Sequence, residues 1–347
     1  MATLTPGLFT YGEWAARMDP DGKTSQLVNL LSQENSILSD AMGVECQSGN
    51  AFEFTQVVKL PTPSRRVYNQ GVVATMAAVA KQTQTCSEYA DWSEFDDSLL
   101  RLGGNMADLR FQEDALHMEG MSQLVASDMF YASRATDPTQ FTGFFNIYST
   151  VSAATSNIAA NVLDCGGTGS TNSSIMLIGW GPKQLHTIFP KGIPVGMQHK
   201  DLGLLPKPDA SGNEFLAWRT WMTWNIGIAI HDWRYGVRAC NIDSTLFGTA
   251  SQANLIAILA AMVYKPPIMP NGVAPVQTSD APQTLSMATR SAFYCNRTVF
   301  LQLDLQAQNK NNVLLQMNEW DGKPVLAYRG IPIRCVDALT NAEARVV

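Results

Sequence analysis

Apolar and polar positions recur along this chain in several distinct rhythms. Near the start the period is helical. Thr10 and Glu13 fit a capping box for a short helix over residues 11–18. The turn Asp19-Pro20-Asp21-Gly22 follows. Leu27, Leu30, Leu31, Ile37, Leu38 and Ala41 then fall on one face of a second helix, which Gly43 would close. Residues 1–43 therefore read as an arm, and its narrow apolar stripe needs a surface to lie on. From 45 to 84 the period shortens to two. Phe52, Phe54, Val58 and Leu60 share one face, with Glu53, Thr55 and Lys59 opposite. Pro61 and Pro63 interrupt this strand, and a stretch of small residues over 72–85 returns from the interruption. The pattern predicts a long hairpin with little core of its own. Two strands alone are marginal in water, so the hairpin should rest on another surface.

The longest helical pattern spans 105–131, with Met106, Leu109, Leu116, Leu124, Val125 and Met129 at helical intervals. Such a helix is on the order of 40 Å long. Gly103-Gly104 marks its start and Thr136-Asp137-Pro138 lies beyond its end. Further on the pattern is mixed, with strands predicted at 174–180, 217–230 and 235–242. A buried helix is predicted at 251–264, stopped by Lys265-Pro266-Pro267. A hairpin is predicted from 313–320 and 323–333, joined at Asp321-Gly322. Residues 265–282 read as an exposed loop. In the strand over 217–230, Trp224, Ile226, Ile228 and Ile230 share a face suited to the long helix. Asn225, Gly227 and Ala229 make the other face small and flat.

Composition narrows the class of protein. Of 347 residues, 16% are charged against 46% hydrophobic, where about 25% charged is usual. Either much surface is covered by neighbours or the chain is a compact enzyme. A net charge of -6 argues against a dedicated nucleic-acid binder, which needs a basic face. The six cysteines, Cys46, Cys86, Cys165, Cys240, Cys295 and Cys335, form no C-x-x-C pair and read as reduced thiols of a cytosolic folding compartment. The N-terminus shows neither a basic start nor an apolar core, so no signal peptide is expected. The longest apolar run, 255–264, is too short for a membrane helix.

Candidate chemistry is weak. Gly166 to Ser170 sits ahead of an apolar run and raises the question of a phosphate loop. Counting from Gly166 or Gly167 gives no Walker pattern and no lysine. Gly167-Thr168-Gly169 has Asn172 where a dinucleotide fingerprint needs glycine. The run that follows is β-rich, whereas both phosphate motifs need a helix N-terminus. A turn feeding a strand is the better reading. His117, His186, His199 and His231 form no ligand pair, and no G-x-S-x-G elbow is present. The pairs Asp96-Asp97 and Glu113-Asp114 read as solvated faces. Trp218, Trp221 and Trp224 suit core packing better than a stacking platform. Arg65-Arg66 is surface by default and an intersubunit contact if the hairpin rests on a neighbour.

An ordered set of segments carries a resemblance. "EWAARMDPDGK" (13–23), "NQGV" (69–72), "LRFQED" (109–114), "DPTQFTGF" (137–144), "DCGGTGSTNSSIMLIGWG" (164–181), "HTIFPKG" (186–192), "DWRYGVRACNID" (232–243) and "YRGIPIRCVDAL" (328–339) resemble the major capsid proteins of tailed bacteriophages. The likeness is to the group typified by short-tailed phages such as epsilon-fifteen. The resemblance implies an α+β fold of the Hong Kong-97 type. Residues 1–43 would be its N-terminal arm and 44–85 its extended loop. Residues 86–145 would begin the peripheral domain, with the spine helix at about 105–131. Residues 146–245 are mixed and include peripheral strands, and 246–347 would be mainly axial domain. It implies a coat protein, not an enzyme, with no cofactor or metal. Pentamers and hexamers would tile an icosahedral shell around double-stranded DNA. Decoration, portal or scaffolding proteins would be further partners. The chain would assemble in the bacterial cytoplasm and end in the virion. Trp14, Leu27 and Leu31 on the arm, with Phe52, Phe54, Arg65, Arg66 and Tyr68 on the hairpin, are the expected intersubunit contacts. Two other readings stand beside it: an intracellular enzyme with an anion or nucleotide site at Gly166 to Ser170, and a carbohydrate-binding module using Trp218 and Trp221.

Overall fold

The computed structural model describes residues 31–102, 106–152, 157–209, 211–249, 251–267, 290–308, 315–320 and 323–347. The helix expected at 11–18, Gly103-Gly104 and most of the loop expected at 265–282 lie outside these residues. A single helical turn, α1 (Ile37–Asp40), and a short strand, β1 (Gly43–Glu45), come first. The hairpin strands β2 (Ala51–Lys59) and β3 (Ala78–Thr85) follow, then β4 (Ser87–Asp96), α2 (Asp97–Leu102) and the long helix α3 (Met106–Tyr131). Next come α4 (Phe144–Ile147), β5 (Val162–Asp164), β6 (Asn172–Trp180), β7 (Leu185–Phe189), β8 (Met197–Pro208), β9 (Glu214–Ile230) and β10 (Gly236–Asp243). The chain closes with α5 (Leu255–Val263), β11 (Arg290–Cys295), α6 (Arg297–Gln308), β12 (Leu315–Trp320), β13 (Lys323–Tyr328) and β14 (Ile331–Cys335).

One mixed sheet organises the described residues, in the order β12-β13-β14-β11-β6-β7-β9-β4. β10 and β5 branch from β6, β1 pairs with β7, and β8 pairs with β9. Every residue of β6 is buried. A strand covered on both faces carries an unbroken apolar run, and Ile175-Met176-Leu177-Ile178 supplies it. The core joins this strand to Val125, Met129 and Phe130 of α3, Leu255 and Met262 of α5, and Val299 and Leu303 of α6.

Three expectations are corrected. The apolar period over 27–41 predicted one helix ending at Gly43, but among the described residues from 31 on helix is confined to Ile37–Asp40, and Gly43 opens a strand. Tertiary bonding decides this. Ile37 is fully buried in the core, Asn35 bridges Val336, and Gly43 to Glu45 pair with Thr187 to Phe189. Asp40 accepts from the Tyr294 hydroxyl at 3.0 Å, and Tyr294 accepts from the Trp180 indole at 2.8 Å. The expected strand 323–333 is split in two. Arg329 and Gly330 both take positive φ, 51° and 77°, which is the two-residue turn that matches strand twist. Lastly, α3 meets β4, β8 and β9 through charge as well as apolar surface. Arg110 pairs with Asp201 at 2.8 Å, His199 meets Asp114 at 3.1 Å, His117 meets Asp91 at 2.6 Å, and Tyr89 donates to Asp128 at 2.7 Å. Leu124, expected on the packed face, is exposed. Burial raises the Asp128 carboxyl above its ordinary range, against the Tyr89 bond that lowers it.

Candidate intersubunit surface

The hairpin divides into a seated root and an unsupported reach. At the root, Phe52 and Phe54 alternate inward from β2 and are buried with Cys46, Cys86, Ile188 and Ala229. Phe52 packs edge-on against His186 at 5.0 Å, and Phe54 stacks on His231 at 4.9 Å. Gln56 donates to the His231 carbonyl at 2.8 Å, and Gln84 accepts from the Ile230 amide at 2.8 Å. The small face of β9 makes this seat possible. A Cβ at Gly227 would lie 2.8 Å from the Thr85 carbonyl oxygen and 3.0 Å from the Cys86 Cα. Thus the face that the sequence marked as flat is not solvated; the hairpin covers it.

Beyond Gln56 the same strand continues, and among the described residues its side chains stand exposed apart from the pairing with β3. β2 and β3 stay paired as far as Lys59 and Ala78, and the chain between them, outside any strand, turns at Tyr68 and Asn69. Fully extended, at about 3.3 Å per residue, the chain from Val57 to the tip would span at most on the order of 40 Å. It carries large apolar side chains into solvent: Val58 is 69% exposed, Leu60 74%, Val73 83%, Met76 85% and Tyr68 91%. Single exposed apolar residues need no explanation, but a contiguous set on one projecting element marks an interaction surface.

The expected contact residues fall into groups. Trp14 and Leu27 lie outside the described residues. Leu31, Arg65, Arg66 and Tyr68 are exposed, the last three close together at the hairpin tip. Phe52 and Phe54 are buried inside their own subunit and hold the root. Sequence reasoning missed Val58, Leu60, Val73 and Met76. Val58 and Leu60 lie on the period-two face of Phe52 and Phe54, so their signal was only the interruption at Pro61 and Pro63; Val73 and Met76 lie in the returning stretch, which has no period that could bury them.

The alternative sites do not gain support. Gly166 to Ser170 is a turn between β5 and β6, with the Gly167 amide donating to the Asn241 carbonyl at 2.8 Å and the Gly166 amide to Asp164 at 2.9 Å. A strand follows, not a helix N-terminus. Trp218 and Trp221 are half-buried; Trp218 donates to Asp97 at 2.9 Å and packs beside Phe95, Leu100 and Leu109. His231 and His186 serve the hairpin seat. Among the described residues no group of histidine, cysteine or acidic side chains has metal-binding geometry. An open cleft of about 520 Å³ is lined by Tyr131, Arg238, Thr340 and Glu343, but the Arg238 guanidinium is committed internally. It pairs with Glu343 at 2.9 Å, donates to the Phe145 and Tyr148 carbonyls, and lies 3.9 Å over the Phe145 ring. Both partners of this ion pair are almost wholly buried.

The family model described as major capsid protein GP7 matches residues 19–347. No curated protein matches the chain. Among solved structures, a chain from the cryo-EM structure of bacteriophage Epsilon15 is 29% identical, with a TM-score of 0.78, and the match covers 100% of this chain and 99% of that one. The capsid of bacteriophage JBD30 is 12% identical at a TM-score of 0.48, over 91% of this chain and 96% of its own.

Proposed function

The chain belongs to the major capsid protein GP7 family, and from that premise we propose how one subunit holds the next. The protein is the structural coat of a phage, a component of the icosahedral shell with the Hong Kong-97 type of fold, and not an enzyme. The finer reading is that subunits gather as pentamers and hexamers and that the hairpin of each lies over its neighbour. One observation carries it: a hairpin seated at its root by Phe52, Phe54 and Gln56, and otherwise projecting unsupported with Val58, Leu60, Val73 and Met76 bare. Such a surface is stable in water only as a half of something.

In this reading residues 44–85 are the extended loop and α3 is the spine helix of a peripheral domain that also holds the β8–β9 ribbon. Much of 246–347 is axial domain. Arg65, Arg66 and Tyr68 at the tip and Leu31 on the arm complete the contact with the neighbour. Trp14 and Leu27 belong to the same proposal. The net charge of -6 suits an inner wall that confines double-stranded DNA without gripping it. Assembly takes place in the bacterial cytoplasm, with portal, scaffolding or decoration proteins as further partners.

The test is sedimentation and negative-stain imaging of the full chain beside a variant whose residues 60–77 are replaced by a Gly-Ser linker. The full chain is expected to give shells, tubes or capsomers, and the variant a folded, slowly sedimenting subunit. Closed shells from the variant would refute the hairpin contact.

A further inference from the structure

The six cysteines are dispersed in sequence, but the fold gathers them into three neighbouring pairs. Cys165 lies beside Cys240, its amide donating to the Cys240 carbonyl at 3.0 Å. Cys295 stands opposite Cys335 on the paired strands β11 and β14. Three of these four thiols bond elsewhere. Cys240 donates to the Leu163 carbonyl at 3.4 Å, Cys295 to the Arg334 carbonyl at 3.8 Å, and Cys335 to Asp337 at 3.9 Å. The third pair differs. The Sγ atoms of Cys46 and Cys86 face each other at 3.6 Å, buried at the hairpin root.

The position of this pair is mechanical as well as chemical. Cys46 lies between β1, which is fixed on β7, and β2, the outgoing strand of the hairpin. Cys86 lies between β3, the returning strand, and β4. Both main chains are held in place. The Cys46 amide donates to the Phe189 carbonyl at 2.9 Å, and the Cys86 amide to the Asn50 carbonyl at 3.2 Å. The Asn50 side chain donates back to the Cys86 carbonyl at 3.1 Å. A bond needs a separation of about 2.05 Å, so the sulfurs must close by roughly 1.5 Å, which side-chain rotation can share between them. The lining residues Phe52, Phe54, Ile188 and Ala229 suit an apolar disulfide.

We propose that Cys46 and Cys86 form an intrachain disulfide when the protein meets a low-molecular-weight disulfide oxidant, closing the hairpin at its root. The bond itself stands apart from the shell reading; only its consequence for neighbour contacts rests on that reading. The exchange balances in two steps. The Cys46 thiolate attacks one sulfur of the oxidant, forming a mixed disulfide and releasing one small thiolate. The Cys86 thiolate then attacks Cys46 Sγ, forming the protein disulfide and releasing the second small thiolate. The two protein protons end on the two released thiols. Burial raises the Cys46 thiol, against the Cys86 hydrogen bond that lowers it, and burial pushes the Cys86 thiol up as well. The thiol poise of a reducing cytoplasm keeps the pair reduced, and burial, which raises both thiols, makes oxidation slow once outside it. The oxidant enters when the root opens locally.

The test uses glutathione disulfide at about pH 8 on purified full-length protein and, in parallel, on the unassembled variant lacking 60–77. Remaining thiols are alkylated in denaturant and the protein is digested without reduction for mass spectrometry. The expected result in both samples is joint loss of alkylatable Cys46 and Cys86, with one linked peptide joining them that dithiothreitol reverses. Cys165, Cys240, Cys295 and Cys335 should remain alkylatable. In Cys86→Ser, Cys46 should stop at a glutathione adduct. Recovery of both thiols free in the unassembled variant, stable adducts on both, or linkage in another pairing would overturn the proposal. Failure of shells to form would bear on the hairpin contact alone, because the linked peptide is read on the single chain.

Discussion

Met76 offers the sharpest separation between what folds the subunit and what joins subunits. It is 85% exposed on the projecting part of the hairpin. Met76→Ala removes three heavy atoms, and at about 0.8 kcal/mol per buried methylene a neighbour covering them would lose about 2 kcal/mol. Ordering the methionine rotamers opposes burial and lowers the net loss to between about 1 and 2 kcal/mol. That is roughly a 5- to 30-fold change in an association constant. The subunit fold should lose nothing, since the side chain touches little of its own chain. Met129→Ala is the contrast: Met129 is fully buried in the core, and a comparable truncation there removes about 2–5 kcal/mol from the fold. The assay is the protein concentration at which half the chain sediments as shells, measured beside the thermal transition of the unassembled subunit. Met76→Ala should raise that concentration and leave the transition in place, and Val73→Asp should abolish assembly. If Met76→Ala and Val73→Asp both left the threshold within about twofold of the parent, the hairpin would not be covered by a neighbour.

Other outcomes follow from the same geometry. Gly227→Val should unseat the hairpin root by overpacking against the Thr85 carbonyl and Cys86, at a cost of about 1–3 kcal/mol; faster amide exchange over 51–56 and 78–85 is the readout. Glu343→Ala should leave the Arg238 guanidinium buried without its countercharge and lower subunit stability by about 3–5 kcal/mol, read as the urea midpoint of the variant lacking 60–77. His186 is fully buried against Phe52, and burial pushes its pKa down from 6.5 to about 4. The unfolded chain therefore binds the extra proton first. The stability from this residue is present above pH 6.5 and is lost as pH falls towards 4, on the order of 3 kcal/mol in all. His186→Phe should flatten that part of the acid denaturation curve. Truncation of residues 1–30 should leave the described fold intact, whereas truncation of 1–43 removes buried Ile37 and the start of β1 and should unfold it; equal thermal transitions for the two truncations would refute this.

Much of the element order is written locally in the chain. The long helix was expected at 105–131 and is described as Met106–Tyr131, and the strand expected at 217–230 as Glu214–Ile230. These are long runs of one period, bounded by breakers, and periodicity is a local property. The ordered segments resembling tailed-phage coat proteins likewise lie in the sequence, and so does the family. Where tertiary bonding competes with local preference, the sequence by itself was insufficient. The apolar run over 27–41 has a helical period, but Ile37 finds the core and Gly43 finds β7, and those partners are remote in the chain. The face of β9 made by Gly227 and Ala229 reads as small in sequence; only the fold shows that the hairpin root occupies it. Phe52 and Phe54 share a strand with Val58, yet the first two are buried and the third is bare, because the root packs on Ile188 and Ala229 and the part beyond Gln56 stands out from them. The facing sulfurs of Cys46 and Cys86 lie 40 residues apart. Alternation decides which side chains share a face, but what that face meets is set by residues far away in sequence, and only packing in three dimensions brings them together.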